Sequence, residues 1–555
     1  MAGLQDAFER IGAGLEHHLE SSHAAGAVLA VTDGEEILGV AVRGLADVAA
    51  GTPVRAETRF QIGSISKSFA AIVALQEADA GRLDLHVSVN EILPWLELPE
   101  PFGPITLHHL MQHTSGLGVG EEDAPTLAGA LWLLRDSPPT APPGERFWYS
   151  NDGWKIVGAC LEHVTGMPIH DLLAERVLDP LGMRDSVARI VEDEYERTAV
   201  GYEPTRWDRP PQLRHTLSPA NRLVSNTADG SIVSTAIDMC AYARLLLARG
   251  DAPDGRGGRI LREEMFARLA DDGFDDGDDA PYAYGLWQQE IDGHRWTMHS
   301  GGMVGYTALL AVVPDEGLGA VILQNGGGDK RGLLTAAFAT VRASLAGTDL
   351  PPVWGPPAPT EIPAAADYVG RYAGDDGRTL VVQAVDDGLS VAIGGLEVRL
   401  ERDPLSAEVG DTFLVAHEAL DRFALGFARD DDGVVVEAFH GPTWFRGERY
   451  RGDEPAPLPK DLERHVGLYR NDSPWNPVVR VLARKGRLEL DWPYDSGDQG
   501  GGPMGALDDG SFAVGAERDP VRVRFEGVTY DGLTALVRVN GGRWFRSFEE
   551  DVRGT

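Results

Sequence analysis

The stretch 60-FQIGSISKSF-69 decides how this chain is read. It carries three serines, Ser64, Ser66 and Ser68, and one lysine, Lys67. Ser64 and Lys67 are three residues apart, a spacing that brings two side chains onto one face of a helix. Downstream, SKSFAAIVALQEADAG sets Phe69, Ile72 and Val73 on one face and reaches Gly81 near its end, which predicts a helix. At a helix start a backbone N–H is free and points outward, a donor suited to a developing oxyanion. A lysine withdrawn from water can take up or hold the serine proton. By itself Ser-x-x-Lys reads more simply as a helix cap beside a surface lysine, so the rest of the chain must decide.

The chain has 555 residues, 43% of them hydrophobic, which is enough for more than one packed core. Its formal net charge of −36 argues against nucleic acid, whose binding needs a basic face, and against anionic membranes. A small cationic substrate suits that field. Cys160 and Cys240 stand in apolar, helix-like segments and read as buried free thiols, so a disulfide framework or cysteine zinc site has no support. MAGLQDAFERIGAGLEHHLESSH lacks a basic start and an apolar h-region and reads as an amphipathic helix. No apolar run has the length of a membrane span, and the expected location is cytoplasmic.

Two Pro-rich breaks, LPPVWGPPAPTEIP (Leu350 to Pro363) and GDEPAPLPKD (Gly452 to Asp461), divide the sequence. They set expected domains at 1–350, 363–452 and 461–555. Before the first break helical and strand periods mix. AGAVLAV and DGEEILGVAVRG read as two strands about a turn, GWKIVGACLEHVTG as a helix, and YTALLAVVPDEGLGAVILQNG as two more strands. Strands at both ends with helices between predict an α+β or α/β domain whose termini share one sheet.

After the break come short strands separated by turn residues. In VRVRF, Val521, Val523 and Phe525 alternate with Arg522 and Arg524, one face dry and one wet. The region repeats. YVGRY at 368 recurs as HVGLY at 465, an offset of 465 − 368 = 97, and WFR at 444 recurs at 544, an offset of 544 − 444 = 100. One marker opens each unit and one closes it, which predicts two duplicated antiparallel β-barrels of lipocalin-like size.

Two further segments bear on Ser64. PPGERFWYSNDGW places Tyr149-Ser150-Asn151 before a helix, and WTMHSGGMVGY places His299-Ser300-Gly301 between strand-like segments. With Ser-x-x-Lys these give three motifs in a fixed order. Over about residues 10 to 345 the sequence resembles the serine penicillin-recognising hydrolases, in the branch of class C β-lactamases, D-alanyl-D-alanine carboxypeptidases, D-aminopeptidases and related esterases. LMQHTSGL, VLDPLGMRDS and GSIVSTAIDMCAYARLLL add to the resemblance.

That resemblance implies Ser64 as nucleophile, Lys67 and Tyr149 sharing the acid–base work, and Asn151 binding the substrate amide or holding Lys67. It implies an oxyanion hole from the N–H groups of Ser64 and Gly302, next to Gly301. His299 stands where most β-lactamases carry lysine. A neutral histidine supplies no fixed charge for a substrate carboxylate, which disfavours β-lactamase activity.

D-aminopeptidases look most similar in architecture, with His-x-Gly and two C-terminal barrels. In that family a loop of the last barrel recognises the substrate amine. Here DWPYDSGDQGGGPMGALDDG (Asp491 to Gly510) offers Asp495 and Asp498 for an ammonium group. The expected activity is therefore release of N-terminal D-amino acids from small peptides, amides or esters, with no cofactor or metal. The alternatives are a carboxylesterase or thioesterase-like acyl transferase, then a D-alanyl-D-alanine carboxypeptidase, and last a β-lactamase or non-catalytic scaffold. A homodimer is compatible with the sequence. DDGFDDGDDAP (Asp271 to Pro281) lacks the closing glutamate of an EF-hand and reads as a solvated loop, and His108, His109 and His113 read as packing or capping residues.

Overall fold

The structure, a computed structural model, describes residues 2–117, 126–136, 138–253, 257–277, 280–403, 410–493, 501–515, 519 and 521–547. Its first unit comprises Met1–Gly120, Ala124–Glu203 and Leu217–Pro356, and its second takes in Pro204–Thr216 and Pro357–Thr555.

The first unit is organised by the strand His23–Thr32, which is apolar along nearly its whole length because both its faces are covered. Successive side chains point to opposite sides. Val28 and Ala30 join one core, with Phe69, Ile72 and Val73 of the helix Ser66–Asp79. Ala27, Leu29 and Val31 join another, with Ile11 and Leu15 of the helix Ala2–Glu20 and Leu333 and Phe338 of the helix Lys330–Ala346.

The sheet has nine strands. Their order is Thr52–Pro53, Ile37–Asp47, His23–Thr32, Leu318–Gly327, Tyr306–Val313, His294–Met303, Trp287–Ile291, Pro281–Tyr282 and Phe274–Asp275, every neighbouring pair antiparallel. The two ends of the unit do share a sheet, through the pairing of His23–Thr32 with Leu318–Gly327. On the strand that carries the third motif, His299 lies opposite Leu310 and Gly302 opposite Thr307.

The acidic segment 271–281 is largely irregular and exposed among its described residues, with two short pairings at the sheet edge. Phe274 pairs with Tyr282 and Asp275 with Pro281, so backbone pairing at the sheet edge overrides the poor strand propensity of Asp and Gly. Cys160 and Cys240 are buried free thiols.

The second unit holds two closed eight-stranded antiparallel barrels, one running from Gly370–Gly374 to Thr443–Gly447 and the other from Gly467–Arg470 to Gly542–Arg546. The repeated markers form their seams. Tyr372 lies opposite Gly447, and Tyr469 opposite Arg546, so each first strand closes against its last. Each tyrosine also donates from its hydroxyl to a carbonyl four residues back, Tyr372 to Tyr368 at 2.8 Å and Tyr469 to His465 at 2.7 Å.

The segment Pro204–Thr216 belongs to the barrel unit although its flanking strands, Tyr202–Pro204 and Leu217–Pro219, are paired with each other. Its Arg209 donates to Asp421 at 2.8 Å, and Arg214 and His215 reach the second oxygen of the same carboxylate. Asp421 is 1% exposed, and charges so buried require partners. The buried Arg480 donates to the carbonyls of Asp208 and Arg422 and to Asp491. Among the described residues no helix is long and apolar enough to cross a membrane.

Candidate active site

Of the three serines in the opening stretch, two are structural. Ser66 is buried and accepts from the Ile232 N–H at 3.1 Å. Ser68, also buried, accepts from the Tyr242 hydroxyl at 2.7 Å and donates to the Ile65 carbonyl. Ser64 alone is partly exposed. It sits in a single 3-10 turn, Gly63–Ile65, that runs into the helix Ser66–Asp79.

Glycines fix that turn against the sheet. Gly63 has φ +53°, and a Cβ there would lie 2.5 Å from the Gly302 carbonyl oxygen. A Cβ at Gly301 would lie 1.8 Å from the Ile62 carbonyl oxygen. The end of the strand His294–Met303 therefore meets the Ser64 turn backbone to backbone, which a side chain at either position would prevent. Gly302 itself is exposed, and a Cβ there would meet nothing within 4 Å.

Lys67 is fully buried and donates to Ser64 Oγ at 2.8 Å, Asn151 Oδ1 at 2.8 Å and the Asp229 carbonyl at 2.9 Å. Three acceptors offset the cost of withdrawing an ammonium group from water. Asn151 begins the helix Asn151–Thr165, which Ser150 caps by accepting from the Gly153 N–H. The Tyr149 ring centroid lies 4.9 Å from Lys67 Nζ. That ring stacks on His113 at 4.2 Å and on Trp287 at 5.9 Å, the latter only 7° from parallel.

His299 is fully buried, its ring centroid 4.7 Å from that of Trp287 and 6.4 Å from that of Tyr149. Burial, reinforced by the Lys67 charge, pushes its pKa down to about 3. Both ring nitrogens are engaged, Nδ1 with the Ser300 carbonyl and Nε2 with the Tyr282 hydroxyl at 3.1 Å. The imidazole is thus neutral at ordinary pH and presents no cation.

The residues named from sequence as Ser64, Lys67, Tyr149, Asn151, His299, Gly301 and Gly302 come together through these contacts. Asp495 and Asp498 lie outside the described residues. Sequence reasoning passed over the Asp229 carbonyl, Tyr282, Trp287 and Asp276, which accepts from the Trp287 indole N–H at 3.1 Å. His113 was read as a packing residue, but it accepts from the Ser150 N–H at 2.9 Å, directly beside Tyr149. Its place in HTSGL, among the stretches that carried the resemblance, was the only signal available. His109 does cap its helix, reciprocally with Thr106. Among the described residues no group of three or more His, Cys, Asp or Glu could hold a metal ion.

The profile of the Beta-lactamase family matches residues 11–343. Penicillin-binding protein 4 of Amycolatopsis lactamdurans is 29% identical over 383 residues, 64% of this chain and 94% of that protein. Esterase EstB of Burkholderia gladioli is 34% identical over 223 residues, 36% of this chain and 56% of that protein. The D-aminopeptidase of Brucella anthropi is 30% identical over 311 residues, 54% of this chain and 56% of that enzyme. Three relatives carry three different names, so names alone do not choose among activities.

Proposed function

The chain belongs to the Beta-lactamase family of serine penicillin-recognising hydrolases, and from that premise we propose that it works through an acyl-enzyme on Ser64 and releases N-terminal D-amino acids from small peptides, amides or esters. The observation that carries the chemistry is the 2.8 Å contact from Lys67 Nζ to Ser64, the one serine of 60–69 that is partly exposed. In acylation Ser64 Oγ bonds to the substrate carbonyl carbon. Its proton passes to the Lys67–Tyr149 pair and from there to the departing amine or alkoxide. The tetrahedral oxyanion sits between the N–H groups of Ser64 and Gly302, donors each worth about 100- to 1,000-fold in turnover. Water then attacks the acyl carbon, the same pair takes its proton, and Ser64 is released.

The buried neutral His299 supports the choice of substrate. A third motif without a cation supplies no fixed charge for the carboxylate that β-lactam substrates carry, although a histidine there does not exclude a carboxypeptidase. Substrates with a free amine in place of that carboxylate suit the site and the net charge of −36. Asp495 and Asp498 are the proposed partners for the amine. An esterase is the second reading, favoured by the same neutral imidazole, since an ester needs no charged recognition.

The test is a set of paired D- and L-amino-acid p-nitroanilides, their N-acetylated forms and short-chain p-nitrophenyl esters. Turnover of the free D-amines with rejection of the acetylated forms supports the aminopeptidase. Turnover of esters alone favours the esterase. Fluorophosphonate labelling that persists in Ser64→Ala removes both readings.

A further inference from the structure

His113 and Tyr282 are buried titratable groups that the proposed reaction does not use. They lie between the second and third motifs in one line of hydrogen bonds, and the backbone fixes its direction at both ends. At one end the Ser150 N–H can only donate, so His113 Nδ1 accepts at 2.9 Å and carries no proton. The His113 proton is then on Nε2, which donates to the Tyr282 oxygen at 3.2 Å. That leaves the Tyr282 hydroxyl proton for His299 Nε2 at 3.1 Å. The His299 proton is consequently on Nδ1, and it goes to the Ser300 carbonyl, which can only accept. The Trp154 indole N–H also approaches His113 Nε2, at 3.3 Å. An indole N–H can only donate, so it competes with the Ser150 N–H for the single lone pair of a neutral imidazole, and the tautomer follows the shorter Ser150 contact.

We propose that His113 and Tyr282 are positioning residues that fix the tautomer and orientation of His299 and tie Ser150, next to Tyr149 and Asn151, to Ser300, next to the oxyanion strand end. The relay explains how a histidine can stand in the third motif without acting as a pH-dependent cation. Its occupied Nε2 has no lone pair to offer Tyr149 or a substrate proton. His113 is held well below the usual histidine range by burial, then by the Lys67 charge and by His299. The titratable groups facing the two imidazoles are Lys67 from the nucleophile helix, Tyr149 from the second motif and Tyr282 from the edge strand. Burial and the Lys67 charge both oppose protonation of either imidazole. The inference rests on the hydrolase reading for its consequence in catalysis, but the tautomers are measurable without any substrate.

The experiment is long-range 15N NMR of the full-length protein labelled at histidine, from pH 5.5 to 8. His113 is expected to carry its proton on Nε2 and His299 on Nδ1, with neither titrating. Tyr282→Phe keeps the ring, which packs edge-on against Trp287 at 4.5 Å, and removes only the hydroxyl. In that variant His299 should become a mixture of tautomers while staying neutral, because burial and the Lys67 charge remain. Fluorophosphonate labelling of Ser64 should slow several-fold. A native His299 that is protonated on Nε2, or that titrates near the ordinary value, overturns the proposal. So does a Tyr282→Phe protein whose imidazole signals and labelling profile match the native ones. If Tyr282→Phe does not fold, the native spectrum decides alone. Loss of activity on every substrate with the native tautomers as expected would sink the functional reading and leave the relay standing.

Discussion

The Ile62 carbonyl oxygen stands 1.8 Å from where a side chain at Gly301 would begin. That contact holds the strand bearing the third motif flush against the turn bearing Ser64. Gly301→Ala should force the two backbones apart and move the Gly302 N–H away from the proposed oxyanion position. Turnover should fall about 100- to 1,000-fold, with a stability loss of about 1–3 kcal/mol from overpacking. Kinetics together with a urea melt measure both.

The three serines of the opening stretch should separate cleanly. Ser64→Ala should abolish covalent labelling while leaving Lys67 two of its three acceptors, Asn151 and the Asp229 carbonyl. Ser68→Ala should retain labelling but lose about 1–3 kcal/mol, because the buried Tyr242 hydroxyl loses its acceptor. Mass spectrometry of the adduct and thermal melts of both variants check this.

Lys67→Met removes the donor common to Ser64, Asn151 and the Asp229 carbonyl. Turnover is expected to drop about 100- to 10,000-fold. Lys67→Arg should not rescue it, because a planar guanidinium cannot reproduce three contacts made from one nitrogen. Steady-state rates of the two variants, side by side, are the readout.

Acid should destabilise both units through histidines buried in the neutral form. His299 is pushed down to about 3 and His440, which is bonded to the Leu420 carbonyl, to about 4, each mainly by burial. Below about pH 6.5 the unfolded chain takes up protons that the folded chain refuses. Stability is therefore complete above that pH and is lost as pH falls toward the folded values, at about 1.4 kcal/mol per pH unit for each group. Chemical denaturation between pH 7.5 and 4.5 tests the sign. A protein more stable at pH 5 than at pH 7 would contradict it.

Asp421→Asn leaves Arg209, Arg214 and His215 facing an uncharged amide. Breaking a buried ion cluster from one side costs about 3–5 kcal/mol. The loss should appear as faster tryptic cleavage after Arg206 and Arg214, with the rate of Ser64 labelling kept.

The chemistry was more legible in the sequence than its supports were. Short local spacings located Ser64, Lys67, Tyr149, Asn151 and His299, an apolar run beside a turn located His23–Thr32, and alternation located Arg522–Val528. The repeated tyrosine and tryptophan markers could be read because barrel closure uses the same residues twice, at the seam. The relay could not be read, because His113 and His299 look like any histidines until a fold sets Tyr282 between them. The edge strands of the acidic segment 271–281 were hidden for a related reason. Their pairing is decided by the sheet beside them and not by their own side chains. Pro204–Thr216 has no period at all, and its identity rests on Asp421 and Arg480, far along the chain.

That last separation has a consequence during synthesis. Arg209 precedes Asp421 by 212 residues, and Asp208 precedes Arg480 by 272. At about 5–20 residues per second the ribosome needs about 10 to 40 s to deliver even the first of these partners. Trp207, which packs with Leu468 and Val478, waits longer still for those two residues. The segment 204–216 thus takes its place in the barrel unit only when translation is nearly over.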